Sequence, residues 1–505
     1  MQTEASESPP ASSTSPDEVP PVIENDTGKL LFNTEAHNNT FQADLKAINK
    51  QHRDVYNRLH SISEDSVFVT HVVNRYRPLP VIANLRCGAW YIDPSNTTVD
   101  CTAYFKSTDG HDGQWQFSLR RSNLQLLHVI ISSGGVILVD STRRGKRYPD
   151  ALSKTVPSWC AVLNAARAKL LDRHPIAPKF QSAWERHMSS TGLTTPVNAV
   201  RSSEHDQIQR LVDGWADQLL ASSFNIEGTL AQLDRPLKPI WISPASDLGK
   251  DSMGDSNALD FYPVICLSAS KYLGDHASLD RAGGFDYIQG AGDDHEGWSR
   301  GLTPKLFWEN RLQLLSTNRP ELESVIDRIV SSSLDNTSSD LKRVEVFEVR
   351  ATKLFICLPN GLDNNRPTED ELDVIISGGN SIELKCKKYK IEKTVAVSNS
   401  RAMKNLSTAL SSVLPDCTQM MRERKAVRLT AIGPNLDESK EMMVAIGLCL
   451  LVDVFDDQGL HRKEAPKRIE KGDVRHRLHW MIEASKGTIN PPRSILKRVN
   501  NYLIG

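Results

Sequence analysis

The strongest chemical signal in the sequence is a run of cations and hydroxyls that follows a short apolar segment. Residues 136–155 read VILVDSTRRGKRYPDALSKT, where Arg143, Arg144, Lys146, Arg147 and Lys154 face only Asp150 once Asp140, which ends the apolar run, is set apart. Ser141, Thr142 and Gly145 stand among them, so hydroxyls, backbone amides and forked guanidinium groups can converge on phosphate oxygens. That pattern suits a phosphate or pyrophosphate cradle. A solvated basic loop is the competing reading, but positive charge has no packing reason to cluster directly behind a buried strand.

Two other constellations carry groups that could do chemistry. In YFKSTDGH, residues 104–111, the Asp-Gly pair reads as a turn that would expose Asp109 and His111 near Trp115. They would then serve as base, metal ligand or substrate clamp, with an ordinary hairpin turn as the alternative. In QGAGDDHE, residues 289–296, Gly290 and Gly292 permit close backbone approach to a ligand, while Asp293, Asp294 and Glu296 offer oxygens suited to Mg²⁺ beside His295. Adjacent carboxylates repel unless a cation sits between them. An acidic cap on a helix N-terminus is the alternative there.

The elements that must position these groups read as alternating helices and strands. Leu45, Ile48, Val55, Leu59 and Ile62 recur at three, four or seven, as one face of an amphipathic helix, with Arg53 and Arg58 off the stripe and wet. Residues 119–131 read as a helix ended by Gly134 and Gly135, and residues 136–139 as a short buried strand. The cradle is thereby delivered to a strand's carboxyl end, where open α/β sheets bind ligands. Ile208, Leu211, Val212, Trp215 and Leu219 mark another helix, residues 240–242 and 264–267 two more strands, and Thr303-Pro304 a capped helix start. Strands at 354–357, 374–377 and 427–432, with helices at 402–414 and 439–455, continue the alternation.

Composition bounds the rest. The chain has 505 residues, enough for two or three domains, and 61 Lys plus Arg balance 62 Asp plus Glu, so any basic surface is local. Eight cysteines without a CxxC pair suit reduced thiols rather than zinc or disulfides. With no signal-like start and no apolar run of membrane length, the expected setting is soluble and cytoplasmic or nuclear, without a membrane partner. We expect an α/β protein with a disordered tail at 1–30, an N-terminal catalytic domain at 31–335, a linker and connecting strand at 336–370, and a C-terminal domain at 371–505.

That last domain has its own phosphate-loop silhouette. Residues 427–439 run strand, loop, helix, as in a cysteine phosphatase, but aligned on Ser439 the nucleophile position is Ile432 and the phosphate-binding arginine position is Glu438. Neither residue can do that chemistry, so the domain is expected to be silent as a phosphatase. Residues 461–505 carry eleven Lys or Arg against four acidic residues. Arg475, Arg477, Arg493, Lys497 and Arg498, mixed with Trp480, suit a groove tracking an RNA backbone. A basic amphipathic helix burying Leu478, Met481 and Ile482 is the alternative.

Taken together, LRCGAWY at 85–91, YFKSTDGH at 104–111, the segment 139–155 and YIQGAGDDHEGWSRGLTPKLFW at 287–308 resemble the initiator tRNA 2′-O-ribosylphosphate transferase family, over nearly the whole chain from about residue 40. The resemblance implies an N-terminal α/β transferase domain followed by a dual-specificity-phosphatase-like α/β domain. It further implies transfer of a phosphoribosyl group from 5-phosphoribosyl 1-pyrophosphate to the 2′-hydroxyl of adenosine 64 of cytoplasmic initiator methionine tRNA, which keeps that tRNA out of elongation. Such chemistry needs a pyrophosphate clamp, Mg²⁺ and a base. On that reading residues 141–147 bind phosphate and Asp140 contacts ribose hydroxyls or metal. Asp293 and Asp294 hold Mg²⁺, and Asp109 or His295 takes the proton. A tRNA-binding protein without catalysis and a phosphatase of a small ligand are the readings from other classes.

Overall fold

The computed structural model describes residues 54–189, 192–248, 258–274, 281–282, 284–340, 344–359, 368–378, 381–396, 406–433 and 435–505. The expected tail and the first part of the amphipathic stripe, Leu45, Ile48 and Arg53, lie outside the described residues. From Val55 the stripe continues as helix α1 (Val55–Arg75), burying Val55, Leu59, Ile62, Val69, Val72 and Val73.

The first sheet holds β1 (Val81–Ala83), β2 (Val136–Asp140), β3 (Leu237–Ile242) and β4 (Tyr262–Ser268), all parallel, in the order β1-β2-β4-β3. Helix α2 (Gln125–Ser133) precedes β2 and ends at Gly134, whose φ of 75° is the left-handed conformation that terminates helices. The apolar run of β2 has no polar face because both of its faces are covered. Val136 and Leu138 pack with helices α3 (Val156–Ala168) and α4 (Ser202–Leu220), while Ile137 and Val139 pack with α1, Trp90 and Phe307. In α4 the expected stripe is buried except Leu211, which is exposed. A two-stranded hairpin, β5 (Arg281–Ala282) with β6 (Phe285–Asp286), follows β4. Helix Pro304–Glu309 then starts as expected, with Leu306 N–H donating to Thr303 Oγ1.

A second sheet has six strands in the order β11-β10-β9-β12-β8-β7. These are β7 (Val344–Glu348), β8 (Leu354–Pro359), β9 (Leu372–Ser377), β10 (Ser381–Cys386), β11 (Ile391–Ala396) and β12 (Val427–Ile432). β12 is parallel to both neighbours and the other pairs are antiparallel. The stretch 336–370, expected as a linker with one connecting strand, supplies two strands of this sheet, because β7 and β8 pair as neighbours. Helices α5 (Leu406–Arg422) and α6 (Leu436–Val454) cover it, and α7 (Lys471–Ala484) and α8 (Arg493–Ile504) close the chain.

The two sheets share one apolar cluster, so the halves are joined through a core rather than a tether. At the junction Phe224 stacks on His479 at 4.5 Å, Asn225 N–H donates to Glu483 Oε1 at 3.0 Å, and Ser223 Oγ donates to the His476 carbonyl at 3.0 Å. A cavity opens there, lined by Ser223, Arg350, Trp480 and Glu483.

Candidate active site

The candidate site is built where β1, β2 and β4 end. Asp140, the last residue of β2, is fully buried and its carboxylate is saturated. Oδ1 accepts from Ser141 N–H at 2.8 Å and from the Cys87 thiol at 2.9 Å, and Oδ2 accepts from Asn84 Nδ2 at 2.8 Å. Arg86 supplies the countercharge from Nε and Nη2 at 3.4 and 3.3 Å. Burial opposes the charge on Arg86, yet the Asp140 and Asp293 carboxylates hold its guanidinium above the ordinary value. Burial and Asp140 push the Cys87 thiol well up, which keeps it a donor. The expected contact of Asp140 with ribose or metal is therefore corrected: its oxygens are occupied from within.

Arg86 does a second thing. Its Nη1 donates to Asp293 Oδ1 at 2.6 Å and its Nη2 to the Ser141 carbonyl. One guanidinium thus ties the basic loop after β2 to the acidic loop at 289–296. Arg58 of α1, expected to be wet, instead donates to the carbonyls of Ala291 at 2.6 Å and Asp293 at 3.2 Å. Trp298 Nε1 adds a second donor to the Asp293 carbonyl at 2.9 Å. Gln289 closes the other end, its Nε2 donating to the carbonyls of Lys146 and Arg143 at 2.7 and 3.1 Å.

Gly290 shows why the acidic loop needs glycine. Its φ is 72°, and a Cβ there would lie 2.6 Å from the Thr142 carbonyl oxygen. Gly290→Ala is expected to destabilise the fold by more than about 1 kcal/mol and to lower activity by displacing the cradle. Denaturant unfolding beside an activity assay reads both effects.

Beneath the two loops lies a buried polar chain that no sequence motif announced. Asp65 of α1 accepts from Ser270 Oγ at 2.6 Å and from Tyr287 OH at 2.7 Å. Ser270 Oγ lies 2.5 Å from Ser141 Oγ and accepts from Gly290 N–H at 3.1 Å. Gly292 N–H donates to Tyr91 OH at 2.8 Å. Ser141 is fully buried and Thr142 nearly so, hence their side chains support the cradle rather than line it, a correction to their expected role as phosphate ligands.

The exposed rim of the cradle is Arg143, Arg144, Gly145 and Lys146, with Arg147 half-buried over the Tyr272 ring at 5.8 Å. Arg144 Nε donates to the Gly274 carbonyl at 3.2 Å. Lys146 Nζ lies 2.8 Å from Asp150 Oδ2, and exposed His111 is 3.8 Å from the same oxygen. Lys154, expected to bind phosphate, is buried between Asp150 and Glu204 at 3.4 and 2.5 Å, where its charge is already matched. Asp109 is not on an exposed turn. It is buried in the 3₁₀ turn Ser107–Gly110 and forks with Arg121 at 2.6 Å, while Gln116 Nε2 donates to it at 2.8 Å. That leaves it no free oxygen to act as a base.

On the acidic loop, Asp294 is exposed with φ 47°, and His295 is half-buried with its ring 6.0 Å from Trp90. Among the described residues no group of three His, Cys, Asp or Glu side chains converges as a metal cage. Asp293 and Asp294 therefore fit Mg²⁺ only as it is held in phosphate-transfer sites, by one or two carboxylates with the substrate's own phosphates.

Two comparisons decide the family. Residues 48–331 match the Rit1 N-terminal domain and residues 382–503 the Rit1 DUSP-like domain. The chain belongs to the Rit1 family. With the family comes the enzyme class expected from the sequence, a pentosyltransferase. This Rit1 chain is 32% identical over 467 residues to an uncharacterized protein of Schizosaccharomyces pombe, covering 91% of this chain and 96% of that one. It is 31% identical over 515 residues to a Saccharomyces cerevisiae protein named tRNA A64-2′-O-ribosylphosphate transferase, covering 91% and 94%. No solved structure matches.

In the DUSP-like half the end of β12 is tied to the start of α6. Ser439 Oγ, on the first turn of α6, donates to the Ile432 carbonyl at 2.6 Å and accepts from Gly378 N–H at 2.7 Å. Asp437 and Glu438 stand in the same turn, where they repel any anion drawn to the helix N-terminus. In the basic end, Arg477 is corrected from RNA ligand to core residue: it is fully buried and donates to Asp457 and to the Phe455 carbonyl, each at 2.9 Å. Trp480 is fully buried with Arg350 and Arg477 near its ring, at 4.3 and 4.4 Å. Leu478, Met481 and Ile482 are buried as the amphipathic alternative predicts, and Arg475, Arg493 and Lys497 stay exposed. Among the described residues no helix is long and apolar enough to cross a membrane.

Proposed function

We propose that this Rit1-family enzyme modifies tRNA by transferring a phosphoribosyl group from 5-phosphoribosyl 1-pyrophosphate to the 2′-hydroxyl of adenosine 64 of cytoplasmic initiator methionine tRNA. The observation that carries the reading is the Arg86 bridge, which joins a basic phosphate-facing loop and an acidic loop into one site at the sheet's carboxyl edge. The name of the similar Saccharomyces cerevisiae protein, tRNA A64-2′-O-ribosylphosphate transferase, supports the transferred group and the acceptor position.

In the proposed step the donor's C1′–O bond breaks, the diphosphate leaves with the bonding electrons, and a C1′–O2′ bond forms to the tRNA. Arg143, Arg144 and Lys146 would stabilise the negative charge building on the diphosphate, since the Gly145 N–H is already given to the Leu273 carbonyl at 3.2 Å. Mg²⁺ would add neutralisation of that charge, with Asp294 and Oδ2 of Asp293 as the chain's own oxygens for it. The 2′-hydroxyl proton would pass to His295, favoured over Asp109 because Asp109 is committed to Arg121. The protein would act in the cytoplasm, with its tRNA.

Purified protein, labelled donor, Mg²⁺ and either initiator or elongator methionine tRNA test this directly. Label is expected in initiator tRNA alone. Arg144→Ala and Lys146→Ala should each cut transfer by at least about tenfold, the loss of one charge-assisted contact, with thermal midpoints unchanged. Binding of tRNA without transfer under any divalent-metal condition would leave the non-catalytic reading standing.

A further inference from the structure

Helix α8 buries Ile495 and Val499 and leaves Arg493 and Lys497 exposed. Just before it, the Pro491 carbonyl accepts from Arg120 Nη1 at 3.0 Å, so the 3₁₀ turn Leu119–Arg121 of the N-terminal half abuts the helix. Burial lowers the pKa of Arg120, and the neighbouring charges of Arg121 and Arg493 lower it further, against smaller opposing effects of Asp109 and Tyr104. Like charges from both halves are thus held together at one seam. Nothing in core packing requires that arrangement.

The seam leads to the cradle. Arg121 forks onto Asp109, and that 3₁₀ turn is followed by His111, 3.8 Å from the Asp150 carboxylate that holds Lys146. Four carboxylates along this line are matched: Asp109 by Arg121 at 2.6 Å, Asp112 by Arg201 at 3.1 Å, Asp150 by Lys146 at 2.8 Å and Glu204 by Lys154 at 2.5 Å, while the Glu441 carboxyl of α6 is offset by Arg498 of α8 rather than by Arg493 or Lys497. Lys106, Arg143, Arg493 and Lys497 are exposed and pair with no carboxylate among the described residues. The surplus charge therefore forms a strip from α8 across the Arg120 seam to the phosphate loop.

We infer that this strip is a single RNA-backbone surface, shared by the two halves, that leads the acceptor's sugar-phosphate chain to the cradle. A strip of separated cations fits a polyanion with regularly repeated phosphates better than one compact anion, whose charge would be met by the cradle alone. The DUSP-like half then contributes to the reaction by carrying α8, not through the loop before α6, whose first turn carries Asp437 and Glu438. Arg477 and Trp480, being core residues, take no part. This inference rests on the tRNA acceptor of the proposed reaction but not on its donor.

The test is fluorescent tRNA binding by the full chain between about 50 and 200 mM salt, with Arg493→Gln/Lys497→Gln and separately Lys106→Gln. The double variant is expected to weaken binding roughly tenfold at the low-salt end and to flatten the log–log salt slope by about 1.5, two released counterions' worth. Its KM for tRNA should rise while that for donor stays. Unchanged affinity and slope in both variants, with unchanged thermal midpoints, would overturn the strip, as would wild-type protein that binds no RNA. Tight, salt-sensitive tRNA binding that the variants weaken, in a protein that transfers nothing, would sink the transfer reading and leave the strip intact.

Discussion

Arg86→Ala is expected to reduce transfer below detection and to destabilise the protein by about 3–5 kcal/mol, the cost of leaving a buried charge without its partner. The charge left behind is Asp140, fully buried, whose remaining donors are the neutral amide of Ser141, the Cys87 thiol and Asn84. The activity loss has a separate origin. Without Nη1 on Asp293 and Nη2 on the Ser141 carbonyl, nothing charged ties the acidic loop to the cradle. Arg86→Lys separates the two effects. A lysine keeps one positive charge near Asp140 but cannot reach four acceptors from one nitrogen. It should therefore recover much of the stability and little of the transfer. Denaturant unfolding and the labelled-donor assay on the same preparations check this, and wild-type transfer in either variant would remove Arg86 from the site's machinery.

The fold was more legible than the site, for a physical reason. Apolar periodicity reports which face of an element is buried, so α1 beyond Val55, the β2 strand, and the Thr303-Pro304 helix start could be read from residue types alone. Site geometry depends on which polar groups meet across long sequence separations. Arg58 looked wet because it lies off the apolar stripe, yet it is satisfied by carbonyls more than two hundred residues away. Asp109 looked exposed because Asp-Gly favours turns, but the turn is folded inward onto Arg121. Arg477 and Trp480 looked like an RNA-binding pair because charge next to an aromatic has the same composition in a core as in a groove. The signal that could have exposed Arg86 was its place in LRCGAWY, directly after β1, where a parallel sheet presents its carboxyl edge.

Asp65 gives the expected pH dependence. Burial pushes its carboxyl from the ordinary 3.8 up to about 8, against the opposing hydrogen bonds from Ser270 and Tyr287, with Glu64 adding a smaller push upward. Because the folded-state value is raised, the folded protein keeps a proton on Asp65 that the unfolded chain releases. This group's contribution to stability is therefore full below about pH 4, declines as pH rises through the interval to about 8, and is flat beyond. Asp65→Asn, neutral at every pH, should remove that decline. Its thermal midpoint relative to wild type should rise between about pH 5 and pH 8.5, and a constant difference would show that Asp65 is ionised in the fold. Asp65→Ala behaves differently, since it strands Ser270 Oγ and Tyr287 OH without their acceptor, at about 1–3 kcal/mol for each buried group left unsatisfied. Ser270 is also the acceptor of Gly290 N–H and the neighbour of Ser141. Its displacement would loosen the cradle and the acidic loop together, so the alanine variant should lose at least about tenfold in transfer, one contact's worth of positioning, at a pH where the asparagine variant retains it.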